Sequence, residues 1–575
     1  MTVVVYSQEH ASWVRYDRPE AVFEAHAHDE VPGILAHLEN EVERTGLHAA
    51  GLLAYEAGRA FDAAMPVASS SPFPLLWFGL FRPPAGILLD APASVPAVTW
   101  VPELDEAAHA AGLARIRDHL ARGETYQVNF TYRMRAPFDG DPWPLFRRMA
   151  SRQPSPHCAY VDAGRFAVCC ASPEMFFRRD GETVVSRPMK GTAPRGRWPA
   201  EDRDMAGRLV LSEKERAENV MIVDMVRNDL GRVCQPGSVT VPELFRAERY
   251  PTLWQLTSLV EGRTRESTAR LISALFPAAS ITGAPKVRTM HLIAELEASP
   301  RRIYTGSVGV MLPGRRARFN VAIRTVLVDR QEGAAEYGVG GGIVWDSKPG
   351  PEYRETLLKA RVLDAPAPGF SLIETMRCNR GEGIFLLEEH LGRLAASAEY
   401  FGFALDMERV RAELENAVRE TEGESGVLRL VLDVDGEFRL DRRPLPVPAP
   451  CRVSPARTPV DSRDPFLFHK TTRREVYERA LAEVAGADDA LLVNERGEVT
   501  EGTIANLVVE LDGELVTPPL DSGLLPGTFR AALLRDGRVR ERAVRTEDLP
   551  RCTRLWLVNS VRGWREAFLA APDGS

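Results

Sequence analysis

The chain has 575 residues, more than a single hydrophobic core usually serves, so two or more domains are expected. Hydrophobic residues at 44% and charged residues at 26% describe an ordinary globular protein. A formal net charge of -8 lacks the basic field that a nucleic-acid or membrane-surface partner requires, so neither is expected.

From the N-terminus, "MTVVVYSQEHASW" meets Gln8, Glu9 and His10 too early for a signal peptide, and no apolar run approaches membrane-spanning length. The cysteines at 158, 169, 170, 234, 378, 451 and 552 show no C-x-x-C pairing and no His/Cys clustering. That argues against a zinc site or a disulfide framework and for a reducing cytoplasm. Alternation or apolar runs predict strands at "GRFAVCCASP", "RIYTGSVGVML", "ARFNVAIRTVLV" and "EYGVGGGIV". "RDMAGRLVLSEKERAENVMIVDMVRNDLGRV" predicts one or two helices ending near Gly231. The Ala/Pro/Gly stretch "LDAPAPGF", 363–370, divides residues 1–364 from 369–575. A Pro-rich connector, "RRPLPVPAP" at 442–450, splits the second region into two lobes. The layout is α+β.

Within this frame a few residues suggest chemistry. Lys190 occupies a Pro-Met-Lys-Gly-Thr turn in "SRPMKGTAPRG", and alone it reads as a solvated loop cation. Glu215 and Glu218 are three apart on a predicted helix, and Glu352 and Glu355 repeat that spacing on another. Either pair alone reads as a solvated helix face, but two such pairs beside glycine-rich loops suit Mg²⁺, which takes a few carboxylates and keeps waters. The run Gly338, Gly340, Gly341, Gly342 lacks the spacing of a dinucleotide fingerprint and reads instead as a strand whose backbone approaches a ligand carboxylate.

The motifs "YQVNFTYR", "ASPEMFF", "SRPMKGTAPRG", "AENVMIVDMVRNDLGRV", "FPAASITGAPKVRTM", "YTGSVGVM", "FNVAIRT" and "GGGIVWDSKPGPEYRETLLKA" resemble, in order, the chorismate-utilising enzymes over roughly residues 110–363. The resemblance implies β-sheets flanked by helices and chorismate as substrate. Isochorismate and salicylate synthases carry a lysine base where this chain has Gln127, so hydration is disfavoured; members that aminate C4 carry lysine, and anthranilate synthases a small residue, where this chain has Lys190. It further implies Lys190 as covalent nucleophile at C2, Glu174 as general acid, and Glu218 and Glu355 as Mg²⁺ ligands assisted by Glu215 and Glu352. Gln127, Thr282, Arg324, Gly342 and Lys359 match substrate-binding positions. One departure is Gln255, where the family has a histidine near the reacting ring.

The second region, through "LLEEHLGRLAASAEYFGF", "HKTTRR", "VTEGTIANLV", "GLLPGTFR" and "LVNSVRGW", resembles two-lobed fold type IV pyridoxal-phosphate enzymes over about 370–568. The resemblance implies pyridoxal 5'-phosphate on Lys470 as a Schiff base, Glu501 against the pyridinium nitrogen, Arg393 on the phosphate, and a cradle near Thr503, Ile504, Thr528 and Phe529. The first lobe enters directly at "GFSLIETMRC", shorter than the family pattern. Joined in one chain, the resemblances imply C4 amination of chorismate followed by pyruvate elimination to 4-aminobenzoate. No G-x-C-x-G elbow is present, so ammonia is expected from solution or a separate glutamine amidotransferase subunit, and a homodimer through the second region is a further expectation. The rivals are an anthranilate synthase-like enzyme with an aminotransferase-like second region, and a non-catalytic chorismate- or tryptophan-binding regulator.

Overall fold

The computed structural model describes all residues except 67–70, 90–97, 252, 364–368, 421–424 and 571–575. Most of the predicted 363–370 linker thus lies outside the described residues. The chain forms two compact units, one of Met1–Pro194 with Ala206–Pro368, the other of Arg195–Met205 with Gly369–Ser575.

The first unit is built from period-2 strands that send alternate residues to opposite faces. In His48–Leu53, Ala49 and Leu53 join one core while Ala50 and Leu52 join another; in Phe166–Cys170, Val168 and Cys170 join Ala50 and Leu52, while Ala167 and Cys169 face away. Two ten-stranded sheets are therefore packed face to face. Helices cover their outer faces: Glu30–Thr45 buries Val31, Leu35, Leu38 and Val42 at helical spacing on one sheet, and Pro142–Arg152 buries Leu145, Phe146 and Met149 on the other. Full burial of side chains such as Leu38 and Phe319 contributes about 1.5–3 kcal/mol each, before the entropy of ordering them.

Three features of this layering position the site. Strand Ala334–Ile343 pairs antiparallel with Gln127–Pro137, setting Gly342 opposite Asn129 and Gly340 opposite Thr131. The predicted helical stretch is two helices, Pro199–Leu211 and Glu213–Gly231, the second capped by Ser212, whose side chain accepts from the Glu215 N–H. Helix Pro349–Ala360 follows the glycine strand and starts with proline in its first turn.

In the second unit a four-stranded sheet (Leu372–Asn379, Gly383–Ile384, Ser425–Leu432, Phe438–Pro444) is covered by helices Leu387–Phe401 and Met407–Arg419 through Leu391, Leu394, Val410 and Leu414. A nine-stranded sheet begins at Cys451–Pro455, after residues 445–450 pass without regular structure, as the two-lobe reading expects. The fold is α+β throughout. Among the described residues no helix is long and apolar enough to cross a membrane.

Candidate active sites

In the first unit Lys190 lies not in a turn but in strand Met189–Pro194, where the pairing with Leu253–Arg263 slips between Met189 and Thr192. The slip is a bulge, and Gly191 permits it with φ of 94°. A Cβ built on Gly191 would meet Glu215 Oε2 at 3.0 Å, so the glycine also lets the acidic helix approach. Asn219, buried on that helix, donates through Nδ2 to the Lys190 carbonyl at 3.3 Å and the Leu256 carbonyl at 3.2 Å, and accepts from Ser258 Oγ at 2.5 Å. Gln255 donates to the Gly191 carbonyl at 3.0 Å, so its amide holds the bulge.

The bulge delivers Lys190 into a cavity of about 200 Å³ together with Glu174, Arg324 and Gly338–Gly342. Gly342 leaves room for both side chains there: a Cβ would stand 2.7 Å from Lys190 Nζ and 2.4 Å from Gln127 Nε2, so these side chains would have to move. Burial pulls the Lys190 amine below its ordinary range, against the opposing pull of Glu218. Glu174 is pushed up to about 7 by burial, tempered by a 2.5 Å hydrogen bond from Ser280 Oγ and by Lys190. It can therefore hold a proton near neutrality.

Glu215, Glu218, Glu352 and Glu355 all line this cavity. Burial raises the first three, with mutual repulsion adding to it, whereas the Lys359 ammonium at 2.9 Å holds Glu355 low. Among the described residues no group of three or more His, Cys, Asp or Glu is gathered closely enough to hold a metal by itself. The repelling carboxylates nevertheless suit a cation that shares its shell with water and an anionic ligand. Arg324 is enclosed, its guanidinium donating to Gln153 Oε1, and burial lowers its pKa. Lys359 donates to the Gly340 carbonyl at 2.9 Å.

Two sequence candidates sit differently. Thr282 is buried outside the cavity lining, its hydroxyl within 3.2 Å of the Ala279 carbonyl and 3.3 Å of the Ala278 carbonyl, because the following Gly283–Ala284 strand draws the residue toward the main chain. Gln127 is fully buried behind Gly342, and among the described residues neither amide atom has a hydrogen-bond partner.

The second unit contains a cavity of about 350 Å³ lined by Lys470, Arg393, Glu501, Thr503, Ile504 and Thr528. Burial, aided by Arg393, lowers Lys470 to about 8. Glu501 is pushed up to about 8 by burial although the Leu525 N–H at 3.1 Å, Tyr477 hydroxyl at 3.0 Å and Asn506 amide at 3.1 Å all donate to it. Arg393 pairs with Glu374 through bonds of 2.9 and 2.6 Å, and Glu374 also bonds His390 at 2.6 Å. Burial opposes ionisation of Glu374, but Arg393 and His390 win and hold it at about 2.

The expected phosphate cradle is only partly present. Thr503 spends its N–H and hydroxyl on Asp489, at 3.0 and 2.6 Å, and so offers no free donor. Thr528 and Phe529 begin helix Thr528–Arg535, where first-turn N–H groups lack helical partners, although Phe529 is outside the cavity lining. Lys470, Glu501, Arg393 and this helix start fit a phosphorylated pyridine aldehyde.

Residues 85–364 match the chorismate binding enzyme family and residues 371–567 the amino-transferase class IV family. Each match covers less than half of the chain. The chain is 42% identical over 260 residues to an aminodeoxychorismate synthase of Streptomyces griseus, covering 44% of this chain and 36% of that protein. It is 41% identical over 274 residues to anthranilate synthase component 1 3 of Haloarcula marismortui, covering 47% and 54%. The chain thus spans about half or less of these curated relatives. Anthranilate synthase component I from Streptococcus pneumoniae, a solved structure, shares the fold of the chorismate-binding region with a TM-score of 0.51 and 23% identity, covering 63% of this chain and 90% of that one.

Sequence reasoning missed Asn219, Ser280, Glu374, Tyr477 and Asn506. A buried asparagine in "AENVMIVD" was the one readable signal, a polar residue on an apolar face.

Proposed function

We propose that the chorismate-binding region aminates chorismate at C4 and that the class IV region converts the product, 4-amino-4-deoxychorismate, to 4-aminobenzoate and pyruvate. The observation that carries this reading is the Lys190 amine, desolvated and lodged against Gly342 in the cavity that also holds protonatable Glu174. In the neutral form Lys190 Nζ adds at C2, both ring double bonds shift round the ring toward C4, and the C4 hydroxyl leaves as water with the Glu174 proton. Ammonia then bonds to C4 as the C2–N bond to Lys190 breaks, restoring the amine. Arg324 and Lys359 hold the substrate carboxylates; Glu218 and Glu355, assisted by Glu215 and Glu352, would hold Mg²⁺, which would supply charge neutralisation at a substrate carboxylate.

Pyridoxal 5'-phosphate, when bound, supplies an electron sink for the second reaction. Lys470 would hold the cofactor and carry protons, Glu501 would pair with its ring nitrogen, and Arg393 with the Thr528 helix start would hold its phosphate. Thr503 acts through Asp489, shaping the cavity wall. Ammonia comes from a separate amidotransferase subunit, and the seven free cysteines suit a cytoplasmic setting.

Incubation of the full chain with chorismate, ammonium, Mg²⁺ and pyridoxal 5'-phosphate tests the reading by product identification. The expected products are 4-aminobenzoate and pyruvate, with chelator stopping the first step. An amine at C2 would move the chain to the anthranilate class, and full turnover in chelator would remove Mg²⁺.

A further inference from the structure

Residues 195–205 lie in sequence between the Lys190 strand and the helix of Glu215 and Glu218, yet they belong to the second unit. They are tightly fixed there. Arg195 and Asp202 form a bidentate pair with both bonds at 2.8 Å, each side chain under 8% exposed. The Asp202 carboxylate also accepts the Gly196 N–H at 2.9 Å, and a Cβ on Gly196 would stand 2.2 Å from the Asp202 nitrogen, so the loop folds back on the helix start only with glycine here. Tyr400 clamps it from the other side: its hydroxyl donates to the Gly196 carbonyl at 2.7 Å, its carbonyl accepts from Arg195 at 3.0 Å, and its ring lies 4.2 Å beneath that guanidinium.

This segment meets the chain just ahead of Lys470. Trp198 packs on Phe468 with ring centroids 5.0 Å apart, and Tyr400 lies on the His469 ring at 4.4 Å. His469 is buried and shares a 2.9 Å hydrogen bond with Ser397 through Nδ1, while the Arg197 main chain borders the ring. On the opposite side the Ile373 N–H donates to the Lys470 carbonyl at 2.8 Å and the Thr472 N–H to Ser371 at 2.9 Å. Lys470 is therefore the residue between a main-chain clamp and a packed histidine.

We propose that the 195–205 segment, a loop and the first turns of helix Pro199–Leu211, is a positioning element of the Lys470 site, holding Phe468 and His469 so that the lysine stays dry and aimed into its cavity. Trp198 and the Arg195–Asp202 pair are its positioning residues, and none of them lines that cavity. The second unit is thus completed by a segment that precedes it in sequence by more than 160 residues. This rests on the reading of Lys470 as the cofactor lysine. The charged groups that act most strongly on Lys470 are Arg393, Glu374, Arg474 and Glu501, none of them in the segment.

The test uses the full-length protein with Trp198→Ala, Trp198→Phe and Asp202→Asn. Capture of pyridoxal 5'-phosphate is followed by absorbance against pH, and the captured residue is identified by borohydride reduction and peptide mapping. Wild type should capture on Lys470 with a midpoint near 8. In Trp198→Ala and Asp202→Asn water reaches the amine, so the midpoint should move up toward the ordinary 10.5 and affinity should fall about three- to tenfold. Trp198→Phe should restore both. Variants that melt earlier but keep the wild-type midpoint and affinity would overturn the proposal, reducing the segment to ordinary packing. If wild type forms no adduct on Lys470, the cofactor reading fails and takes this inference with it; an adduct unchanged by either variant sinks the inference alone.

Discussion

Lys190 and Lys470 are both amines held below their ordinary range by burial, but they keep different company. Around Lys190 three carboxylates, Glu218, Glu174 and Glu355, face one opposing ammonium, Lys359; around Lys470 two arginines, Arg393 and Arg474, balance two glutamates, Glu374 and Glu501. The first setting suits a nucleophile that needs a proton donor and a cation beside it. The second suits an amine beside an anionic cofactor. Desolvation makes a lysine reactive, and the surrounding charges decide toward what.

Exchanging the roles of the two lysines is the strongest way to break the comparison. Lys190→Ala should lower C4 amination by roughly 10⁴- to 10⁶-fold, the loss typical of removing a nucleophile or its base, while still releasing 4-aminobenzoate from supplied intermediate. Lys470→Ala should do the reverse and accumulate 4-amino-4-deoxychorismate. Product quantification on both substrates checks this, and undiminished amination by Lys190→Ala would end the covalent role.

The electrostatic contrast is exposed next by Glu374→Gln. It leaves Arg393 without its buried counter-charge, which costs about 3–5 kcal/mol. Calorimetry should show the second unit melting earlier, whereas the first keeps its transition. Gly342→Ala addresses the other lysine. The new methyl group meets two movable side chains, Gln127 and Lys190, so the unit should fold while the amine is displaced by about 1 Å and amination drops about 10²-fold. Unchanged turnover would mean that Lys190 does not work from this position.

Much of this arrangement was legible because its signals were local. The acidic i,i+3 pairs, the glycine run and the two lysine motifs fall within short windows, and the structure brings them into two cavities. The 203–233 helices were legible from periodicity, though the break at Ser212 needed its cap. What could not be read depends on partners far apart in sequence. Glu374 meets Arg393 and His390 from a neighbouring helix, Thr503 loses its donors to Asp489, and the Lys190 turn becomes a bulge only because Leu253–Arg263 pairs with it. The role of the 195–205 segment left no mark in composition, since the residues of its ion pair and aromatic contacts are ordinary surface types until the fold buries them.

The smallest expected effect concerns the proton donor that only the Lys190 site possesses. Glu174 sits at about 7 because burial disfavours its carboxylate more than the Ser280 hydrogen bond and Lys190 favour it. As general acid it must be protonated, so amination should decline as pH rises through about 7. Ser280→Ala removes a bond made to the charged form, which raises the Glu174 pKa further and should move that alkaline limb upward by about one pH unit, equivalent to about 1.4 kcal/mol. The sign separates this from simple damage: a damaged site loses rate at every pH, whereas here the variant should retain relatively more activity on the alkaline side. Pyridoxal phosphate capture at Lys470, governed by a different set of groups, should keep its profile. A limb that stays at its wild-type pH in Ser280→Ala would remove Glu174 as the titrating acid and leave Lys190 without its assigned proton donor.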